Sequence, residues 1–498
     1  MTIEDAPPSS RRARREARAA RAAAPAGAAP TAGDGADSTA STDGSARVTP
    51  ASGHLALGWL ADDDVTARSA PRHLAGASNP YTVASVDLLA RRPRRSPLRP
   101  GVVLPFLGAV ALVGAYAAAT LLWPLYAVAP VVDKVAVADL TSPATAVTWP
   151  AEGSAAVGVA GFDGAASSTG DRAPMASITK LVTSLMILEQ LPLAPGESGP
   201  EYAFTESDHD EYYDYLYADE SALDVPVDGT LTEYQMLQGI LIGSAGNYTD
   251  RLASTIWPSD SVFARAAAEW LERHGLSGNT VVEPTGIDPE NAADPASLIT
   301  LARYALADPV VAEIVRTPVV TLPGAGEVVN TNDLLSDPAV VGIKTGSLDI
   351  GYNLLAAREQ PVGDATVRAY AVTLTQPTDE ARDAETARLL AEVGAEASQP
   401  RVLPAGTLAG TVSTAWGATA SILTDADASL LLWNGASAPV ASDIDLGDAR
   451  TAGASVGTIS MKGPLGSASA GLRLTDDIPE PDAWWRLTHP LQLWGLAD

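Results

Sequence analysis

The chain has 498 residues, 60 acidic and 32 basic, for a formal charge of −28. That balance excludes non-specific nucleic-acid binding by the chain as a whole, because phosphates would be repelled. With no cysteine and only five scattered histidines (54, 73, 209, 274 and 489), disulfides, iron–sulfur clusters and a cysteine nucleophile are excluded. No metal-ligating cluster is visible, and no cofactor is expected.

The charge is unevenly spread: residues 1–100 carry a net of +4, residues 101–130 none, and the remainder −32. The first block is rich in Ala, Ser, Gly, Pro and Asp and poor in large apolar residues. Such a segment cannot bury enough surface to offset its ordering entropy, so a disordered tail is expected over 1–100. The uncharged block 101–130 exceeds the roughly 20 apolar residues that span a bilayer. Arg91, Arg92, Arg94, Arg95 and Arg99 flank it on the left, and only Asp133 and Lys134 follow closely on the right. The positive-inside rule then predicts a single-pass cell-membrane protein with a cytoplasmic N-terminus and an extracytoplasmic remainder. Ala127-Val128-Ala129 resembles a cleavage site, but the tail is far longer than a signal peptide's basic region. An uncleaved signal anchor is the expectation.

Beyond the anchor, short strand-like runs such as AAVGVAGF (155–162) precede DRAPMASITKLVTSLMILEQL (171–191). Ile178, Leu181, Val182, Leu185, Met186 and Leu188 recur at a helical period, and few polar positions interrupt them, which predicts a largely buried helix. Ser177 and Lys180 lie three apart near its start, on one face and within reach of each other. A lysine on a buried helix needs a chemical reason. Of the chain's four lysines (134, 180, 344 and 462), a second one opens Lys344-Thr345-Gly346, after the apolar run Val340, Val341 and Ile343. That run reads as a strand entering a turn, where Gly346 would let a substrate backbone approach.

Between these motifs, TESDHDEYYDYLYADESALD (205–224) holds eight acids and four tyrosines. It lacks the glycine and terminal glutamate of a calcium loop, so a solvated acidic helix–loop is expected. Past residue 401, TLAGTVST, SILTDA, SLLLWNG, GTISMKG and AGLRLTDD alternate as a small antiparallel β domain would. The aromatic end WWRLTHPLQLWG (484–495) is expected to close that β core, with a membrane-interface position as its alternative.

Ser-x-x-Lys, a Ser-x-Asn-like element and Lys-Thr-Gly, in that order, resemble the penicillin-recognising serine hydrolases. Among these the chain is most similar to the D-alanyl-D-alanine carboxypeptidases of low-molecular-mass penicillin-binding proteins. PMASITKLVT, LTEYQMLQGILIGSAGN, VEPTGIDPEN and GIKTGSLDIGYNLL carry the likeness, over about residues 150–395. It implies an α+β fold: a five-stranded antiparallel sheet flanked by helices, an all-helical subdomain with the middle motif, and an added C-terminal all-β domain. The expected division is tail 1–100, anchor 101–130, catalytic domain 131–400 and β domain 401–498.

The resemblance also assigns roles. Ser177 would form an acyl-enzyme, Lys180 would be its base, and Ser244 would relay a proton to the leaving D-alanine. Lys344 and Thr345 would hold the terminal carboxylate, with Gly346, Ser347 and Asn247 lining the substrate site. The backbone N–H groups of Ser177 and Ser347 would form the oxyanion hole. Chemically, a serine needs a base, and a lysine serves only if burial and a second cation, here Lys344, keep it neutral. The implied partners are a peptidoglycan stem peptide and, as covalent inhibitors, β-lactams. The middle motif departs from the pattern: Ser244-Ala245-Gly246 puts glycine where the family expects asparagine, and Asn247 follows one residue later. Asn247 either swings into the cleft or holds a loop. A β-lactamase and a catalytically weak wall-binding protein are the alternative functions.

Overall fold

The computed structural model describes residues 99–497, so the expected tail lies almost wholly outside the described residues. The apolar helix Pro100–Leu121 has 22 residues and a mean hydropathy of 2.1 over its most apolar window, none of it buried. It is long and apolar enough to cross a membrane.

Helices and an antiparallel sheet follow, in the mixed arrangement expected. The central sheet runs, edge to edge, Val340–Leu348, Gly351–Val362, Ala365–Gln376, Ser154–Val159 and Ala166–Ser167. Every pairing is antiparallel, with Lys344 opposite Leu355, Leu355 opposite Val372, and Val372 opposite Ala156. The register of the outer pair shifts between Val340 and Ile343, immediately before the Lys-Thr-Gly residues.

Both faces of this sheet are covered, which is why its strands read as apolar runs instead of alternating ones. Leu355, Val372, Leu374 and Ala156 pack with Leu181, Val182 and Leu185 of helix Thr179–Gln190 and with Leu298 and Ala302 of helix Pro295–Ala307. The opposite face, with Leu354, Ala356, Ala371 and Val157, meets Leu389, Leu390 and Val393 of helix Asp379–Ala397. That helix starts where Thr378 accepts a hydrogen bond from Ala381 N at 3.1 Å, with Asp379 and Glu380 in its first turn. Both features satisfy or complement the open N–H groups there.

The helical subdomain is built from Glu206–Tyr217, Glu233–Leu241, Gly246–Ser254 and Asp260–Arg273. Its core (Met236, Leu237, Ile240, Tyr248, Leu252 and Phe263) is continuous with helix Thr179–Gln190.

The C-terminal region forms a six-stranded antiparallel sheet ordered Val131–Lys134, Leu408–Ser413, Thr419–Thr424, Gly466–Leu474, Ser455–Gly463 and Val440–Ile444. Its edge strand comes from the other end of the sequence: Val131–Lys134 pairs with Ser413–Gly410. Trp433, 1% exposed, closes the core. Its indole N–H donates to Glu396 at 3.1 Å, and its ring meets Phe162 edge-on.

The aromatic end does not enter that core. It forms two short helices, Ala483–Thr488 and Pro490–Leu493, that pack where the apolar helix ends. Arg486 Nη1 donates to the carbonyls of Trp123 (3.0 Å) and Leu121 (3.3 Å), and the Tyr116 hydroxyl donates to Leu487 O at 2.6 Å. Trp123 meets Trp494 edge-on at 6.1 Å. The last carbonyls of a helix have no intrahelical partner, and here a cationic side chain supplies one. Alternation in the β-like runs had no bearing on this segment; its Trp494 and Arg486 answer to the helix exit.

Candidate active site

Three pieces of backbone converge on Ser177. The first is its own: Ala176–Ile178 is a single 3₁₀ turn that runs directly into helix Thr179–Gln190. Ala176 has φ +50°, a left-handed conformation that costs a non-glycine residue of order 1–3 kcal/mol and clusters at functional sites. Lys180 lies on the first helical turn, and its Nζ donates to Ser177 Oγ at 3.0 Å. The i, i+3 spacing on one face is realised.

The second piece is strand Val340–Leu348. A Cβ on Gly346 would lie 3.0 Å from Ser177 N, Met175 O and Ala176 Cβ, so the strand and the serine turn touch only because the residue is glycine. Lys344 and Thr345 are buried beside it (1% and 6% exposed), whereas Ser347 is exposed. Thr345 Oγ1 shares a 2.5 Å hydrogen bond with Thr331 Oγ1. Opposite Gly346 in the register, Asn353 donates to Pro174 O at 2.9 Å and accepts from Thr375 N at 2.7 Å. It ties the segment before Ser177 to the sheet.

The third piece is the turn 283–291, in VEPTGIDPEN. Lys180 Nζ also donates to Thr285 O at 2.5 Å, and Thr183 Oγ1 donates to Pro284 O at 2.7 Å. Sequence reasoning quoted this phrase for its likeness but gave its residues no role. The readable signal was its density of Glu, Thr, Asp and Asn beside Gly and Pro, the composition of a side-chain-braced turn.

Burial sets the electrostatics. Lys180 is 2% exposed, and desolvation lowers its pKa to about 8, opposed by the negative charges of Glu283 and Glu220. Lys344 is held well below the usual lysine range by burial, with Lys180 and then Arg382 as further positive neighbours. Burial is thus the first cause of the lowering at both lysines, and it is what makes the neutral amine of Lys180 accessible. No described protein group accepts a hydrogen bond from Lys344 Nζ.

The middle motif lies between helices Glu233–Leu241 and Gly246–Ser254. The first begins with a reciprocal cap: Gln235 N donates to Thr232 Oγ1 (3.2 Å) and Thr232 N to Gln235 Oε1 (2.9 Å). Ser244 is buried with φ +59°, a second strained non-glycine residue at the site. Asn247 holds a loop: its Nδ2 donates to Leu223 O at 2.7 Å, and its Oδ1 accepts from Leu223 N at 3.2 Å. Of the two roles open to it in the sequence, the loop contact is the one its amide makes in this structure. A Cβ on Gly246 would lie 2.6 Å from Tyr215 Cε1 and 3.1 Å from Ser221 O, which accepts a hydrogen bond from Gly246 N at 2.8 Å. The acidic helix–loop therefore occupies the space beside the glycine.

Residues 165–378 match the family model described as D-alanyl-D-alanine carboxypeptidase. No curated protein matches the chain. Among solved structures, penicillin binding protein 5 from Haemophilus influenzae is 19% identical, with a TM-score of 0.45, over 67% of this chain and 100% of that one. The D-alanyl-D-alanine carboxypeptidase from Mycobacterium tuberculosis H37Rv is 21% identical at a TM-score of 0.43, over 51% and 95%. The Streptomyces K15 DD-transpeptidase is 20% identical at 0.43, over 49% and 98%. The family match spans both lysine motifs and the turn between them, so residues 165–378 are similar to the D-alanyl-D-alanine carboxypeptidases over the whole of the candidate site.

Proposed function

We propose that the chain is a membrane-anchored, extracytoplasmic D,D-carboxypeptidase that removes the terminal D-alanine from peptidoglycan stem peptides through an acyl-enzyme on Ser177. The observation that carries this reading is the 3.0 Å hydrogen bond between a fully buried Lys180 and a partly exposed Ser177. Neutral Lys180 takes the Ser177 proton as Oγ adds to the penultimate D-alanine carbonyl. This Ser-Lys pair does the work a histidine does in other serine hydrolases. The C–N bond then breaks, the departing D-alanine amine receives a proton by way of Ser244, and water hydrolyses the ester. Lys344 and Thr345 bind the terminal carboxylate, and Gly346 and Ser347 align the peptide along the strand edge. The buried Lys344 Nζ, without a protein acceptor, is suited to that anion. N–H groups of Ser177 and Ser347 stabilise the oxyanion. The helix Pro100–Leu121 serves as the anchor, and the chain beyond it divides into a catalytic domain and a C-terminal β domain that share one packed core.

A second reading, a stem-peptide-binding protein with slow turnover, is favoured by one observation: the Asn247 amide is committed to Leu223. Both readings are tested with the full chain in detergent, a labelled penicillin and intact-mass analysis over several hours. A stable Ser177 adduct with D-alanine release from a stem pentapeptide upholds the carboxypeptidase. A stable adduct without release leaves the binding protein. Rapid loss of the adduct with hydrolysed drug accumulating identifies a β-lactamase, and no adduct from folded protein overturns the Ser177 assignment.

A further inference from the structure

We infer that Glu283 is a positioning residue for the Ser177–Lys180 pair, shaping the turn 283–291 against the serine and setting the pH at which Lys180 becomes a base. The inference rests on the Lys180 reading above and deepens it.

The carboxylate sits at the centre of the turn. Its Oε2 accepts from Thr285 N (2.7 Å) and Thr285 Oγ1 (2.6 Å), and its Oε1 accepts from Gly286 N (2.7 Å), Asp288 N (3.2 Å) and Asn291 Nδ2. Five donors on one carboxylate specify a conformation that no neutral side chain of similar size would hold, since an amide replaces two of the acceptor lone pairs with donors. Charge-assisted bonds of this kind are about twice as strong as neutral ones.

What the turn touches is the nucleophile. Gly286, at φ +84°, lies so close that a Cβ would fall 2.0 Å from Ala176 O and 3.0 Å from Ser177 N. Asn291 O accepts from Met175 N at 2.9 Å. Pro284 O and Thr285 O accept from Thr183 and Lys180 of helix Thr179–Gln190. One side chain thus organises contacts to residues 175, 176, 180 and 183. The charged groups acting on Lys180 come from three directions: Lys344 on the strand, Glu283 in the turn and Glu220 on the loop after the acidic helix. Of the two carboxylates, Glu283 acts the more strongly on Lys180 and alone braces the atoms that Lys180 contacts. Removing its charge favours the neutral amine.

The sign of the test follows. Penicillin acylation by the full chain is followed across pH roughly 6–10, where its ascending limb reports Lys180 losing a proton. E283Q is expected to move that limb to lower pH and to reduce the plateau rate about tenfold or more, because Thr285 O is misplaced. E283D, which keeps the charge at shorter reach, slows the plateau and keeps the wild-type limb. T285A, which keeps the carboxylate, also keeps the limb. A limb unmoved in folded E283Q overturns the inference, as does a limb that moves as far in T285A. Should E283Q fail to fold, E283D decides: a wild-type plateau overturns the inference, and a slowed plateau on the wild-type limb upholds it. K180A separates the two levels. If K180A acylates normally, the base assignment has failed; if K180A is inert while the E283Q limb stays, only the role of Glu283 has.

Discussion

The two walls that carry the candidate site residues, one around Ser177 and one around Ser244 and Asn247, are built on different physical terms. On the Ser177 wall, backbone approaches backbone: a 3₁₀ turn, a strand and a braced turn meet across Gly346 and Gly286, where a methyl group would collide with main chain. On the opposite wall, the residue after Ser244-Ala245 is also glycine, but what a methyl would meet there is the ring of Tyr215 and the carbonyl of Ser221. Tyr215 is 2% exposed, its hydroxyl donates to Asp250, and neighbouring Tyr248 donates to Asp224 O at 2.6 Å. His209 pairs with Asp224 at 2.6 Å. The first wall is arranged around the reacting atoms. The second is arranged around an acidic helix–loop, and Asn247 serves that loop. One side is thus held by close backbone approach and the other by side-chain contacts to the acidic helix–loop, and experiments that disturb one side at a time expose the difference.

The largest effect is expected on the first wall. K180A should lower Ser177 acylation by the hundred- to ten-thousand-fold (roughly 10²–10⁴) attributed to a positioned base, while the protein still melts in a cooperative transition. Stopped-flow acylation beside a thermal melt checks both halves. The same wall carries a pH signature. Lys180, with its pKa lowered to about 8, is protonated below that value and a competent base above it. Acylation should therefore climb through pH of about 8 and level off beyond it. A limb lying two units higher, at the range of an ordinary exposed lysine, would show that Lys180 is solvated in the working enzyme.

On the second wall, G246N is the sharper test of whether the family's asparagine is missing or has been displaced. The new side chain must push aside Tyr215 and the Ser221 carbonyl, and overpacking of that kind costs typically about 1–3 kcal/mol. The expected result is a lower thermal midpoint and no gain in D-alanine release. A gain in release at unchanged stability would mean that the wall has room for the amide and that the glycine alone limits turnover.

How much of this was legible in the sequence follows the same division. Ser177, Lys180 and Lys344-Thr345-Gly346 are local patterns: an i, i+3 pair at the start of an apolar helix, and an apolar run leading to a lysine. The strand does not turn there as expected but continues to Leu348, because the motif pairs with the neighbouring strand. Helical and strand periodicity place such residues without knowledge of the rest of the fold. The acidic segment was likewise readable as a helix–loop, and the helix it forms, Glu206–Tyr217, is capped locally by Thr205 and Asp208, three residues apart. Long-range pairings were not readable. Nothing in VEPTGIDPEN says that its carbonyls meet Lys180 about a hundred residues earlier. Nothing in Val131–Lys134 says that it completes a sheet from the far end of the chain. The aromatic C-terminal segment shows the same limit: tryptophans are at home in a core or beside a membrane, and only the long-range contacts of Arg486, Leu487 and Trp494 to residues 116–123 show that this segment leaves the β core.

The smallest effect, and the one that most directly sets the two walls against each other, is expected for N247A. Removing the amide leaves Leu223 N and O without their partner, at a cost of about 1–3 kcal/mol for unsatisfied buried groups. If the amide is architectural, the thermal midpoint falls by a few degrees while Ser177 acylation stays within about threefold of wild type, since an interaction that binds no reacting group does not alter the barrier. An amide donating to the reacting peptide would behave in the opposite way: removing a single oriented donor costs about 10²–10³ in rate, and stability would hardly move. N247D sharpens the reading, because a carboxylate still accepts from Leu223 N but cannot donate to Leu223 O. It should lie between N247A and wild type in stability and match wild type in acylation. If both variants lose acylation in step while melting normally, the second wall is chemical after all, and the loop contact in the resting protein is one that the substrate breaks.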